Sequence, residues 1–239
     1  MAGPPPKSTL SEYEKPKFSK FLTSSVIAVT VAKLRTFYLH SALLNAESER
    51  FSNSLSGKFK EAEEKAIEIE DKDPDLFGFF VEYLYRDCSI LSRKVTHYSE
   101  YVTLARLHAL GERIVAPKLQ SYSLWRFCQS LESDTFISDE SSCELLRIAC
   151  TEITERVRED PMRAQIFWYG GANISNLQRL DMFRQLLCDI PDLGKQLCLW
   201  VEQNQPKKLP EPNELQYQRF APESEYSLQR ALETAPKVE

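Results

Sequence analysis

The residues able to do chemistry in this chain are few and widely spaced. Its three histidines, His40, His97 and His108, have no second His and no Cys at a metal-ligand spacing. Each is expected to be a core or rim residue whose ring donates to a backbone carbonyl. The six cysteines, Cys88, Cys128, Cys143, Cys150, Cys188 and Cys198, form no CxxC pair. That scatter fits free thiols of an intracellular protein, mostly buried as small hydrophobes, better than a zinc site. No G-x-S-x-G elbow, phosphate-binding P-loop or G-x-G-x-x-G turn occurs. The one glycine pair, Gly170-Gly171, reads as a loop between helices. Between Glu61 and Asp75 eight acidic residues stand against two lysines, in an order that matches no calcium loop. This run reads as solvated exterior, or as an electrostatic edge for docking a basic partner. The expectation is a protein with no catalytic, cofactor-binding or metal-binding residues, and therefore not an enzyme.

With so little reactive chemistry, the scaffold carries the information. The 239 residues are 42% hydrophobic and include only 7 glycines, which supports a real core and favours helices over a turn-dense all-β fold. A net charge of -5, without a run of Lys and Arg, argues against broad binding to nucleic acid. No stretch has the length and apolarity of a membrane span, and the N-terminus lacks the apolar segment of a secretory signal. An intracellular location, nuclear or cytoplasmic, is expected.

The elements follow from local periodicity. Prolines crowd residues 1–17 and again 206–239, predicting a flexible arm and a mobile tail. SVIAVTVA and LRTFYLH, parted near Ala32 and Lys33, predict a β-hairpin whose turn lacks the usual Asn-Gly or Asp-Gly. Leu39, Leu43, Phe51, Leu55 and Phe59 fall at helical spacings, with Gly57 in the last turn. AIEIE alternates, so Ile67 and Ile69 share one face of a short strand. Asp73-Pro74 is a helix start: the carboxylate accepts from first-turn amides and Pro needs no donor there. Phe77, Phe80, Val81 and Leu84 then make an apolar stripe, widened by Leu76, Phe79 and Tyr83.

Further helices are predicted over about His97 to Glu112, with Tyr101, Leu104, Ala105 and His108 inward, and from near Val115, with Leu119, Tyr122 and Trp125. The polar TFISDESS marks a subdomain break, and Ser141-x-x-Glu144 reads as a capping box. Apolar residues then recur at helical steps through Cys143, Leu146, Cys150, Ile153 and Val157. Two later stripes run through Leu180, Phe183, Leu187 and Ile190, and through Leu193, Leu197, Trp200 and Val201. The fold class is α+β and mostly helical, with a domain over 18–133 and an all-helical C-terminal extension over 138–205.

The order of these pieces resembles the BTB (POZ) family. The residues that carry the resemblance are His40, Leu43-Leu44, Ser48 and Phe51, then Phe59-Lys60-Glu61, Ile67, Asp73-Pro74, Phe77 and Val81-Glu82-Tyr83-Leu84-Tyr85. Such members read His, two apolars, Ser, Phe, then Phe-x-Glu, a short strand, and a helix ending in an apolar-Tyr pair. The likeness is densest over 37–85, extends from about Phe21 to Leu131, and is similar in flavour to BTB proteins of filamentous fungi. It implies a helical cluster edged by short strands and used as a protein–protein scaffold. His40, Leu44, Ser48, Phe51, Phe59, Glu61, Phe77, Tyr83 and Tyr85 would be structural signature positions. Protein partners are implied, either a second copy of the chain in a homodimer or a cullin, which would make it a substrate adaptor of a ubiquitin ligase. Neither nucleic acid nor membrane is implied. Tyr85, Arg86 and Asp87 would mark the partner surface. No acidic residue occurs between Phe21 and Ala46; Ser24 and Ser25 stand where many members carry an Asp that helps self-association.

Overall fold

The computed structural model describes residues 18–56, 60–70, 73–86, 99–132, 137–155 and 160–203. The arm expected over 1–17 and the tail over 206–239 lie outside them, as do His97, Gly57, Phe59, Asp87, Cys88 and Val157.

A 3-10 helix, Phe18–Thr23, leads into the hairpin of β1 (Val26–Val31) and β2 (Arg35–His40). Alternation sends Ile27, Val29 and Val31 to the core, and Thr30 and Thr36 outward, where their hydroxyls meet at 3.0 Å. The turn holds Ala32 (φ 53°) and Lys33 (φ 57°) in the left-handed region. Neither residue is Gly or Asn, so the turn carries a conformational cost of about 1 kcal/mol per residue. Leu39, read above as the start of a helical face, lies in β2 opposite Ile27. Its β-branched and aromatic neighbours favour the pleated strand.

Three short helices follow: α1 (Ser41–Glu47), α2 (Glu49–Ser56) and α3 (Lys60–Glu64). They return the chain to β3 (Ala66–Ile69), which pairs parallel with β1 and completes a three-stranded sheet ordered β2-β1-β3. Ile67 and Ile69 are buried and Glu68 is exposed, as the alternation requires. Asp73 then accepts from the Asp75 amide (2.8 Å) and starts α4 (Pro74–Arg86). Phe77, Phe80, Leu76 and Leu84 of α4 are buried against the sheet and α2. The Phe51, Phe77 and Phe80 rings stack and abut at 5.4–6.5 Å, a cluster that adds edge-to-face attraction to its burial.

The remaining helices are α5 (Ser99–Arg113), α6 (Pro117–Glu132), α7 (Asp139–Thr151), α8 (Pro161–Ala172), α9 (Ile174–Leu177), α10 (Asp181–Asp189) and α11 (Pro191–Gln203). The cap of α7 is Ser138, not Ser141: its hydroxyl accepts from the Ser141 amide, and Asp139 and Glu140 occupy the first turn. The Gly170-Gly171 pair is no loop but the last turn of α8, both residues buried. A Cβ on Gly170 would come within 3.0 Å of Leu146 and 3.2 Å of Leu197, so glycine lets α8 approach α7 and α11 closely. Sequence reasoning missed α8 because its apolar residues run around much of its girth and offer no clean stripe.

Two large apolar cores result among the described residues, beside a small cluster of Phe21, Ala42 and Leu43, and the α5–α6 hairpin belongs to both large ones. Leu107, Leu110, Ile114, Ala116 and Leu119 join the sheet and α4. Tyr101, Leu104, Ala105, Ala109 and Phe127 join α7, α8, α10 and α11.

Candidate functional site

The signature residues cluster about the break between α1 and α2. Ser48, buried and extended (φ -138°, ψ 119°), stops α1. Its hydroxyl donates to the Ile114 carbonyl and accepts from the Phe51 amide (3.2 Å), so one side chain caps α2 and grips the α5–α6 turn. The Glu49 amide adds a bond to the Val115 carbonyl (3.0 Å), and Lys118 pairs with Glu47 at 3.0 Å. Leu44, Phe51 and Phe77 are fully buried beneath this junction, and Tyr83 packs half-buried with its ring 5.6 Å from Tyr122.

His40 and Tyr85 form a second junction, across 45 residues. The Tyr85 hydroxyl accepts from the His40 amide (3.0 Å) and meets Nδ1 of its ring (2.8 Å). A hydroxyl can both donate and accept, so the direction of the ring contact follows the tautomer of His40. The His40 ring, expected to donate to a backbone carbonyl, meets the tyrosine of α4 at Nδ1. Tyr85 is half-buried and committed to this contact, and Arg86 ends α4. Ser24 and Ser25 tie the chain entrance to the same place. Ser24 accepts from the Ala42 amide (3.1 Å), which serves the first turn of α1 where His40 offers no side-chain cap. Ser25 meets Ser41, hydroxyl to hydroxyl, at 3.1 Å.

Two exposed features border this framework. Phe18 is 46%, Leu22 42% and Val26 47% exposed, three large apolar side chains within nine residues, while Phe21 between them is buried against Ala42 and Leu43. On another side an open cleft of about 590 Å³ is lined by Glu49, Arg50, Asn53, Ser54, Glu61 and Val115. Val115 is itself unusual, a β-branched residue at φ 53° that turns α5 into α6. Of the acidic run, Glu68 pairs with Lys33 (3.7 Å), Asp75 with Arg35 (2.7 Å) and Glu64 with Lys60 (3.4 Å), all near the surface. Exposed pairs of this kind contribute little to stability.

Among the described residues no group of three or more His, Cys, Asp and Glu is placed to hold a metal ion. Nor is any helix of those residues long and apolar enough to cross a membrane. The thiols of the described residues differ from expectation: among them only Cys143 is buried, Cys128 and Cys150 are half-buried, and Cys188 and Cys198 are exposed. The last two lie on the outer faces of α10 and α11, where a stripe of period 3.6 leaves room for small residues. Burial, aided by the charge of Asp139, pushes the Cys143 thiol up; burial does the same at Cys150. Neither is a ready nucleophile.

Among the described residues His108 is the buried histidine. Nδ1 lies 3.0 Å from the Gln120 carbonyl, as the reading of a core histidine requires, and Nε2 lies 3.1 Å from Oδ2 of Asp160. Burial pushes the Asp160 carboxyl up, but the hydrogen bond and charge of His108 and the Arg163 and Met162 amides outweigh it. The group is held below the usual carboxylate range. Sequence reasoning missed Asp160, although Asp160-Pro161 repeats the Asp-Pro start of α4.

No curated protein matches the chain. The family model of the BTB/POZ domain matches residues 19–110, from the 3-10 helix into α5, and a BTB/POZ domain is found there.

Proposed function

We propose that this chain is a non-enzymatic protein–protein interaction module that self-associates through the surface around Phe18, Leu22 and Val26. The carrying observation is that exposed apolar trio, set on a framework whose polar residues are spent on internal contacts. Apolar side chains left in water beside a rigid support gain free energy when covered, and a stable interface needs roughly 1,600 Å² in total. Residues 18–133 act as the platform and 138–205 as a helical extension packed on it through the shared α5–α6 hairpin. Sedimentation or light scattering of the full chain tests this. A concentration-dependent dimer that Leu22→Glu with Val26→Glu converts to monomer supports it. A monomer at high concentration without substitution removes it.

A second reading is favoured by the cleft at Glu49, Arg50, Glu61 and Val115. In members of the resembled family that recruit a cullin, the contact surface includes the helices after α4, and this cleft ends on the α5–α6 turn. The chain would then be a substrate adaptor of a cullin-type ubiquitin ligase. Co-purification of a cullin, lost on Glu61→Arg but kept in the Leu22→Glu, Val26→Glu variant, supports that reading. Its absence from the purified complex counts against it.

A further inference from the structure

His108 (α5) and Asp160 (the cap of α8) are 52 residues apart, 3% and 7% exposed respectively. A neutral imidazole has one N–H and one lone pair. Here both ring nitrogens face groups that only accept: the Gln120 carbonyl from α6 and Oδ2 of Asp160. The Asp160 carboxylate is otherwise engaged through Oδ1, which takes the Met162 (2.9 Å) and Arg163 (3.1 Å) amides and starts α8. Both contacts can be satisfied at once only when each ring nitrogen carries a proton, and burial leaves little water to substitute for either partner.

The charged groups nearby are committed elsewhere. Arg163 directs its guanidinium to the Ala149 carbonyl and to Gln196. Glu112, one turn along α5, accepts from the Thr154 amide, and Glu152 from α7 faces Arg106 and Arg113. Asp160 is the carboxylate that meets the ring.

We propose that His108 and Asp160 form a proton-dependent latch, in which the doubly protonated ring pins the start of α8 to the α5–α6 hairpin. When the ring loses a proton, a lone pair faces either the carboxylate or the carbonyl, one contact opens, and α8 loosens at its capped end. Because α8 also packs on α7 and α11, the latch controls how firmly the C-terminal helices hold the shared hairpin.

The test uses the full chain labelled with ¹⁵N. Ring spectra, with the His108 signals assigned by their loss in His108→Gln, should show both nitrogens protonated in the folded protein at neutral pH. Hydrogen exchange, corrected for intrinsic rates, should show protection of the first α8 amides falling about tenfold as the ring deprotonates, the change expected when one hydrogen-bonded contact opens. Asp160→Asn keeps an acceptor for the α8 amides and can donate its amide to a neutral Nε2, so in this variant the protection should no longer follow pH. A folded wild-type ring with a single N–H at neutral pH overturns the proposal. So does a pH profile of α8 protection that is the same in wild type and Asp160→Asn.

Discussion

Two glycine-to-alanine changes, made separately, measure how tightly the α5–α6 hairpin is packed. In an open helix interior such a change stabilises by about 0.8–1 kcal/mol, because alanine loses less backbone entropy. Gly78 in α4 meets that condition, since a Cβ there finds nothing within 4 Å. Gly78→Ala is expected to raise stability by about 0.5–1 kcal/mol. Gly111 in α5 is the opposite case. Its Cβ would fall 2.8 Å from Cγ of Gln120, 3.1 Å from the Gln120 amide nitrogen and 3.2 Å from the Ala116 carbonyl. The Gln120 side chain can swing away, but the two backbone atoms belong to the turn that Ser48 and Glu49 hold, so α6 must shift as a whole. Overpacking of that kind costs about 1–3 kcal/mol. After the helix-propensity gain, Gly111→Ala should lose up to about 2 kcal/mol, or up to roughly 8 °C in Tm at about 2–4 °C per kcal/mol. Urea unfolding followed by far-ultraviolet circular dichroism reads both variants. If Gly111→Ala proves as stabilising as Gly78→Ala, the close approach of α5 and α6 is wrong.

Phe51→Ala removes a fully buried ring from between Phe77 and Phe80 and should cost about 3–5 kcal/mol in the same urea assay. Tyr85→Phe deprives the His40 amide and ring of their partner; a loss of about 1–3 kcal/mol is expected, with thermal unfolding as the check. Lys33→Gly relieves a left-handed backbone in the hairpin turn and should be stabilising by up to about 1 kcal/mol, read by the urea midpoint. The Asp160 carboxyl titrates below its usual range in the fold, so the unfolded chain binds the proton more readily as pH falls. Its contribution is complete above the unfolded carboxylate value, about 4, and is lost as pH drops further; urea titrations from pH 5 to pH 2 should show Asp160→Asn losing less stability than wild type.

Local chemistry made much of the scaffold legible. Ile67 and Ile69 announce their strand by alternation, Asp73-Pro74 announces α4 by capping, and Phe77, Phe80 and Leu84 mark its buried stripe. Each signal is complete within a few residues, because strand pleat and helix pitch are backbone properties. The same locality explains the errors. Ser141-x-x-Glu144 satisfies the capping-box pattern, and only the course of α7 places the cap at Ser138 instead. Gly170-Gly171 looks like a loop until Leu146 and Leu197, brought up from other helices, require a residue without a Cβ.

The sequence by itself determined most of the elements, the absence of any reactive motif at recognisable spacing, and the likeness of its first half to an interaction scaffold. Only the tertiary structure decided that β3 runs parallel to β1, that Ser48 reaches Ile114, that Tyr85 closes on His40, and that His108 faces Asp160. Those partners are 45–66 residues apart along the chain where they are side-chain contacts. No period or cap extends that far; what selects them is the burial of two cores around one shared hairpin, which brings these polar groups within reach of partners distant in sequence.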